Sequence, residues 1–310
     1  MKSFAQRLAH AVREKKNPVL VGLDPRGEML PNVFFGEDER PSIEEMAAAY
    51  FVFCRGVIDV VAPLVPAVKP QAAFFEQLGA YGMVALSQII DYAREKGLLV
   101  ILDGKRNDIG STATAYANGY LGDDSPWGAD ALTVSPYLGG DSLDPFVDAA
   151  VERDAGIFVL VKTSNPGGGM FQDLTADGRP LFEHVADYVE KLAGETTDED
   201  APEDAAYGAV GAVVGATYPE QLVELRAKMP HAWLLIPGFG SQGGTAADVA
   251  GGFASSGLGA IVNNSRGIIF AHARPEYAEK FGDAKWQEAI EAATLAMIEQ
   301  LKADTPAGKL

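Results

Sequence analysis

Cysteine, histidine and positive charge are all scarce in this chain. One cysteine, Cys54, stands in 310 residues, so no internal disulfide can form. Its place inside an apolar helical stretch marks it as a small core side chain of a protein kept in a reducing compartment. Four histidines (His10, His184, His231 and His272) are scattered without metal-ligand spacing. Lysine and arginine number 25 against 43 aspartates and glutamates, a formal net charge of −18. Such a surface repels nucleic acid and anionic lipid, so neither is expected as a partner. An anionic ligand would need local positive charge to hold it against the global field. No apolar run approaches the ~20 residues of a membrane span, and the stretch Met1 to Leu8 lacks a signal-peptide core. No dinucleotide fingerprint is followed by an acid at the proper interval. A cytoplasmic protein is expected.

What the chain does hold is a series of short apolar runs, each followed by a loop and a helical pattern. The runs are Val19–Leu23, Leu64–Val68, Leu98–Leu102, Ala131–Val134, Gly156–Val161, Gly211–Val214, Ala232–Ile236 and Gly259–Val262. Pro66 makes the second the weakest strand. Helical patterns lie at Ser42–Val61, with Ser42 and Glu45 as a capping box, and at Phe74–Lys96, Asp141–Arg153, Leu181–Leu192, Pro219–Lys228 and Thr245–Ala254. Eight strand–helix units in a row predict an α/β protein with an all-parallel sheet, closed as a (β/α)8 TIM barrel, with a doubly wound open sheet as the rival. Ser3–Lys15 adds an N-terminal helix under the barrel, and Asp283–Lys302 an extra C-terminal helix. A single domain over residues 1–310 is expected, with an acidic surface insertion at about 195–206.

In such a barrel the functional groups stand at the C-terminal ends of the strands. The third run leads straight into Asp103-Gly104-Lys105-Arg106-Asn107-Asp108-Ile109-Gly110-Ser111-Thr112. Charges at the edge of an apolar core are costly unless paired or used. Asp103 and Lys105 are two apart, so extended backbone points them the same way, and Lys69 ends the neighbouring strand about 4.8 Å away. Asp24, Ser135, Lys162 and Thr217 end other strands. The seventh and eighth runs enter Pro237-Gly238-Phe239-Gly240-Ser241-Gln242-Gly243-Gly244 and Asn263-Asn264-Ser265-Arg266-Gly267, glycine-rich loops of phosphate-binding kind with an arginine fork. Alternating lysine and aspartate charges suit a task in which negative charge develops on carbon and is quenched by a proton, without a cofactor.

Asp103-x-Lys105-x-x-Asp108-Ile109-Gly110-x-Thr112 resembles the signature of the orotidine 5′-phosphate decarboxylase family. Gly22-Leu23-Asp24-Pro25, Val68-Lys69-Pro70 and the two glycine-rich loops agree, so the likeness runs from about Val19 to Gly267. The spacing Lys105-Arg106-x-Asp108-Ile109-Gly110 and the long chain resemble the longer bacterial branch, type 2. The resemblance implies a carboxy-lyase that converts orotidine 5′-monophosphate to UMP and carbon dioxide without metal or cofactor, the last step of de novo UMP biosynthesis. It implies that Lys105 stabilises the C6 carbanion and protonates it, and that Asp103 sits against the substrate carboxylate. Lys69 and Asp24 would hold the ribose, Ser135 the pyrimidine, and Gln242, Gly243, Gly244 and Arg266 the phosphate. Asp108 and Thr112 would come from the partner subunit of a homodimer. Two alternatives stand beside this reading. One is a magnesium-dependent 3-keto-sugar-phosphate decarboxylase of the same superfamily, which places an acid where this chain has Lys69. The other is a barrel that binds a nucleotide phosphate without turnover.

Overall fold

Eight parallel strands close on themselves, each joined to the next through helical structure. The computed structural model describes residues 2–35, 40–240 and 243–310. The barrel strands are β1 (Val19–Leu23), β2 (Ala67–Pro70), β3 (Leu99–Arg106), β4 (Ala131–Val134), β5 (Gly156–Lys162), β6 (Val210–Val214), β7 (Leu234–Ile236) and β8 (Ala260–Asn264). Each pairs with its sequence neighbours, and β1 pairs with β8 at Val19↔Val262 to complete the ring. This is the (β/α)8 barrel that the eight apolar runs predict.

The strands are buried on both faces, which is why they read as continuous apolar runs rather than alternating ones. One core fills the barrel and its base. There the N-terminal helix Phe4–Lys15, capped by Ser3, sends Phe4, Leu8 and Val12 against Leu20, Ile101, Phe158 and Trp233. A second, larger core lies between the strands and the outer helices. The C-terminal helix Trp286–Asp304 belongs to it through Trp286, whose ring lies 5.2 Å from that of Phe53 on the helix Ile43–Val61.

Four differences from the sequence reading have physical causes. The second strand begins at Ala67 rather than Leu64, because Leu64 and Val65 both donate to Val61 O and continue the helix end as a turn. The third runs on to Arg106, so Asp103 and Lys105 are strand residues. The predicted helix Phe74–Lys96 is two helices, Ala72–Glu76 and Gly79–Glu95, because Gly79 adopts φ +59° at the joint. The acidic segment is not merely solvated. Asp198 accepts from the Ser3 hydroxyl at 2.5 Å and Asp204 pairs with Arg13 at 2.6 Å, tying this segment to the N-terminal helix.

Candidate active site

The strand ends surround a cavity of about 570 Å³ at the C-terminal mouth of the barrel, within the range of small-molecule sites. Asp24, Lys69, Gln71, Asp103, Lys105 and Thr133 form one part of its wall; Pro237, Gly238, Phe239 and Arg266 form another. The loop after β5 makes a third through Thr163, Ser164, Asn165 and Gln172.

Asp103 is the hub. Its Oδ2 accepts from Lys69 Nζ at 2.5 Å and from Gln71 Nε2 at 2.9 Å. Its Oδ1 accepts from Lys105 Nζ at 2.6 Å and from the Thr133 hydroxyl at 2.9 Å. Burial alone would raise this carboxyl, but the Lys69 and Lys105 ammoniums outweigh it and hold Asp103 well below the usual carboxylate range. Lys69 is the reciprocal case. Burial would lower it, but Asp103 and Asp24 together hold it above the ordinary lysine value. The pair is therefore ionised across the physiological range. Register places it there: Lys69 stands opposite Gly22 at the end of β1, and Gln71 bridges to Asp103.

Lys105 departs from the extended geometry that the sequence predicts. It adopts φ +45°, the left-handed region that disfavours residues with side chains. Pairing with β4 steps from Leu102↔Leu132 to Arg106↔Val134, so residues 103–105 bulge against Thr133 alone. Arg106 braces the bulge by donating to Gly104 O at 2.8 Å and to the Tyr120 hydroxyl at 3.1 Å, and by pairing with Glu76. Lys105 still meets Asp103, but from the far side of the bulge and with its side chain 48% exposed to the cavity. Strain of this kind is commonly found at functional sites.

Asp24 is half-buried beside this cluster, with its Oδ1 enclosed and without a partner. Burial pushes its carboxyl up, against the lowering influence of Lys69. Asn263 Oδ1 and Ser265 Oγ, on the adjacent β8 end, are likewise buried without partners. All three crowd Gly22: a Cβ there would lie 2.7 Å from Ser265 Cβ and 3.2 Å from both Asn263 Oδ1 and Asp24 Oδ1. Enclosed polar atoms without partners call for an explanation, and these three belong to residues of the cavity wall.

The other expected residues divide. Arg266, at the start of the short helix Arg266–Ile269, lines the cavity as expected. Gly243 and Gly244 direct their N–H groups into their own turn, to Gly240 O at 2.9 Å and Gly238 O at 3.2 Å. An anion there would replace those bonds. Gln242 lies outside the described residues. Ser135 does not line the cavity and instead donates its backbone N–H to Arg106 O. The serines that do line it are Ser164, in the loop after β5, and Ser265, just past β8. Asp108 makes no ion pair with Lys69 or Lys105 within this chain; its carboxylate accepts from the Ile109 N–H at 2.8 Å. Thr112 is exposed in the first turn of the helix Gly110–Tyr120.

Lys162 has a structural task. Its fully buried ammonium pairs with Asp173 and lies 5.0 Å from the Phe182 ring and 4.8 Å from the Tyr218 ring. With Gln172 bonded to the Thr163 N–H at 3.0 Å and hydroxyl at 2.8 Å, this fixes the loop that walls the cavity. Among the described residues no group of three histidine, cysteine or carboxylate side chains is placed to hold a metal ion, and no helix is long and apolar enough to cross a membrane.

Comparison with known proteins agrees with this geometry. Residues 45–281 match the model of the orotidine 5′-phosphate decarboxylase / HUMPS family. An orotidine 5′-phosphate decarboxylase of Rhodopirellula baltica is 56% identical over 306 residues, covering 97% of this chain and 100% of the relative. One from Deinococcus radiodurans is 43% identical over 270 residues, covering 87% and 90%. The structure of Leishmania donovani OMP decarboxylase superposes with a TM-score of 0.73 at 33% identity, covering 97% of this chain and 98% of that one.

Proposed function

We propose, from the premise that the chain belongs to the orotidine 5′-phosphate decarboxylase / HUMPS family and is a carboxy-lyase acting on orotidine 5′-monophosphate, that the Asp103 cluster carries the chemistry. The observation that supports this most is the pairing of an ionised, buried Asp103 with a cavity-facing Lys105. A substrate carboxylate placed against Asp103 meets a charge that cannot be neutralised. That repulsion is relieved as the C6–carboxylate bond breaks and carbon dioxide leaves. The electron pair stays on C6, where the Lys105 ammonium stabilises it and then gives it a proton. The lysine is restored by a proton from water.

Lys69 and Asp24 would hold the ribose hydroxyls, and Arg266 the phosphate through a bidentate fork. The phosphate lies far from the reacting carbon, and its binding energy would still serve the reaction by closing loops over the substrate. Asp108 and Thr112 would complete the site of a second copy in a homodimer; the lack of an ion pair between Asp108 and its own chain's Lys69 and Lys105 supports that division. The protein would act as a single domain in the cytoplasm. The magnesium-dependent alternative is disfavoured because the position facing Asp103 is an ammonium, which repels a hard cation.

The test is turnover of orotidine 5′-monophosphate by the purified protein in EDTA, followed as loss of substrate absorbance. Full activity is expected, and Lys105→Ala should lower kcat by about three powers of ten or more, since one group supplies both charge and proton. Activity abolished by the chelator would favour the magnesium reading. Retention of most kcat by Lys105→Ala would remove that residue from the chemistry.

A further inference from the structure

Thr133 is 2% exposed in the middle of β4, where a valine would serve both the strand and the core. Its hydroxyl nevertheless has two partners, and both belong to the reactive cluster. Oγ1 accepts the backbone N–H of Lys105 at 2.9 Å and donates to Asp103 Oδ1 at 2.9 Å. Thr133 can reach both because residues 103–105 bulge against it alone. Lys105 holds φ +45° there, a conformation that persists only where its surroundings impose it. Among the described residues the hydroxyl is thus the one side-chain atom that ties the main chain of Lys105 to the carboxylate of Asp103.

We propose that Thr133 is a positioning residue for the decarboxylation, holding the β3 bulge in the shape from which the Lys105 ammonium and the Asp103 carboxylate face the same reacting carbon. The inference rests on the decarboxylase reading. Removal of the hydroxyl leaves the Lys105 N–H without its partner and takes from Oδ1 one of its two hydrogen bonds. The ammonium is then less well aimed at developing charge, and misplacement on the scale of an ångström is costly to a chemical step. Thr133 is absent from the Arg266 end of the cavity, so substrate affinity should change little.

The experiment measures kcat, KM and thermal unfolding for Thr133→Val, Thr133→Ser and Thr133→Ala with orotidine 5′-monophosphate. Thr133→Val should lose about 10- to 100-fold in kcat, the range spanned by a lost hydrogen bond to a charged group. Its KM should stay within about threefold of the wild type. Thr133→Ser keeps the hydroxyl and should recover kcat to within about threefold, although it loses the methyl and some stability. Should the valine variant fail to fold, serine against alanine decides, because those two differ only by the hydroxyl. Equal kcat in the serine and alanine variants, or a loss carried by KM alone, overturns the positioning role while leaving the decarboxylase reading intact. A wild-type protein without turnover overturns both.

Discussion

Two lysines hold the same carboxylate, and the structure separates their energetic roles. Lys69 Nζ lies 2.5 Å from Asp103 Oδ2 with its side chain 4% exposed, while Lys105 Nζ lies 2.6 Å from Oδ1 with its side chain 48% exposed. Lys69→Met keeps the volume and removes the charge, leaving a buried carboxylate short of its main partner. Breaking a buried pair in this way costs about 3–5 kcal/mol. Lys105→Met breaks a pair that water already screens, and about 1 kcal/mol or less is expected. An unfolding entropy of about 2.1 cal/mol/K per residue turns these figures into a Tm lower by about 5–8 °C for Lys69→Met and by under about 2 °C for Lys105→Met. Calorimetry of the unliganded variants measures both. The pH dependence adds a check of sign. Asp103 is depressed, so its contribution is present above the unfolded carboxylate value and lost as pH falls. Lys69 is raised, so its contribution is present below the ordinary lysine value of 10.5 and lost as pH climbs through the raised one. The gap between wild type and Lys69→Met should therefore be widest near neutrality, and should narrow below about pH 4 and above about pH 10.5. Equal Tm losses for the two variants, or a gap independent of pH, would refute the assignment of the buried pair as the structural half of the cluster.

Three further outcomes are expected. Burial raises the Asp24 carboxyl, so its ionised form opposes folding; Asp24→Asn should raise the Tm while weakening substrate binding, and a lowered Tm would contradict it. Arg266→Ala should raise KM by about 10- to 100-fold with a smaller fall in kcat, and a fall confined to kcat would argue against phosphate binding. Coexpression of Asp108→Asn with Lys105→Ala should yield mixed dimers with one intact site, restoring about half of wild-type activity per dimer; no recovery would exclude exchange of residues between subunits.

Strand number, strand order and the charged rim were legible because parallel barrel strands are buried on both faces and end in polar groups with little else to do there. Asp24, Lys69, Asp103, Lys105 and Arg266 all reached the cavity as expected from their place at strand ends. Thr133 and Gln71 were not legible. A threonine in a buried strand has an ordinary reading as a β-branched core residue, and only the bulge in β3 brings three residues within its reach. That bulge leaves no mark in the sequence, since its left-handed residue is Lys105 rather than glycine. Ser135 and Ser164 both follow strands, and only the path of the two loops decides which enters the cavity. Asn263 and Ser265 were read as parts of a phosphate loop, and their unpartnered oxygens beside Asp24 emerge from the packing against Gly22.

The tie between the N-terminal helix and residues far along the chain bears on the order in which the molecule can be assembled. Phe4, Leu8 and Val12 are covered by side chains that include Phe158 and Trp233, while the Ser3 hydroxyl donates to Asp198 and Arg13 pairs with Asp204. During synthesis the first helix therefore emerges long before the residues that cover it. Its apolar stripe is not fully covered until Trp233, about three-quarters of the way along the chain, has been made, and the ring cannot close until β8 arrives to pair with β1. The base of the barrel is thus among the last parts to be secured, although its helix precedes every strand of the ring.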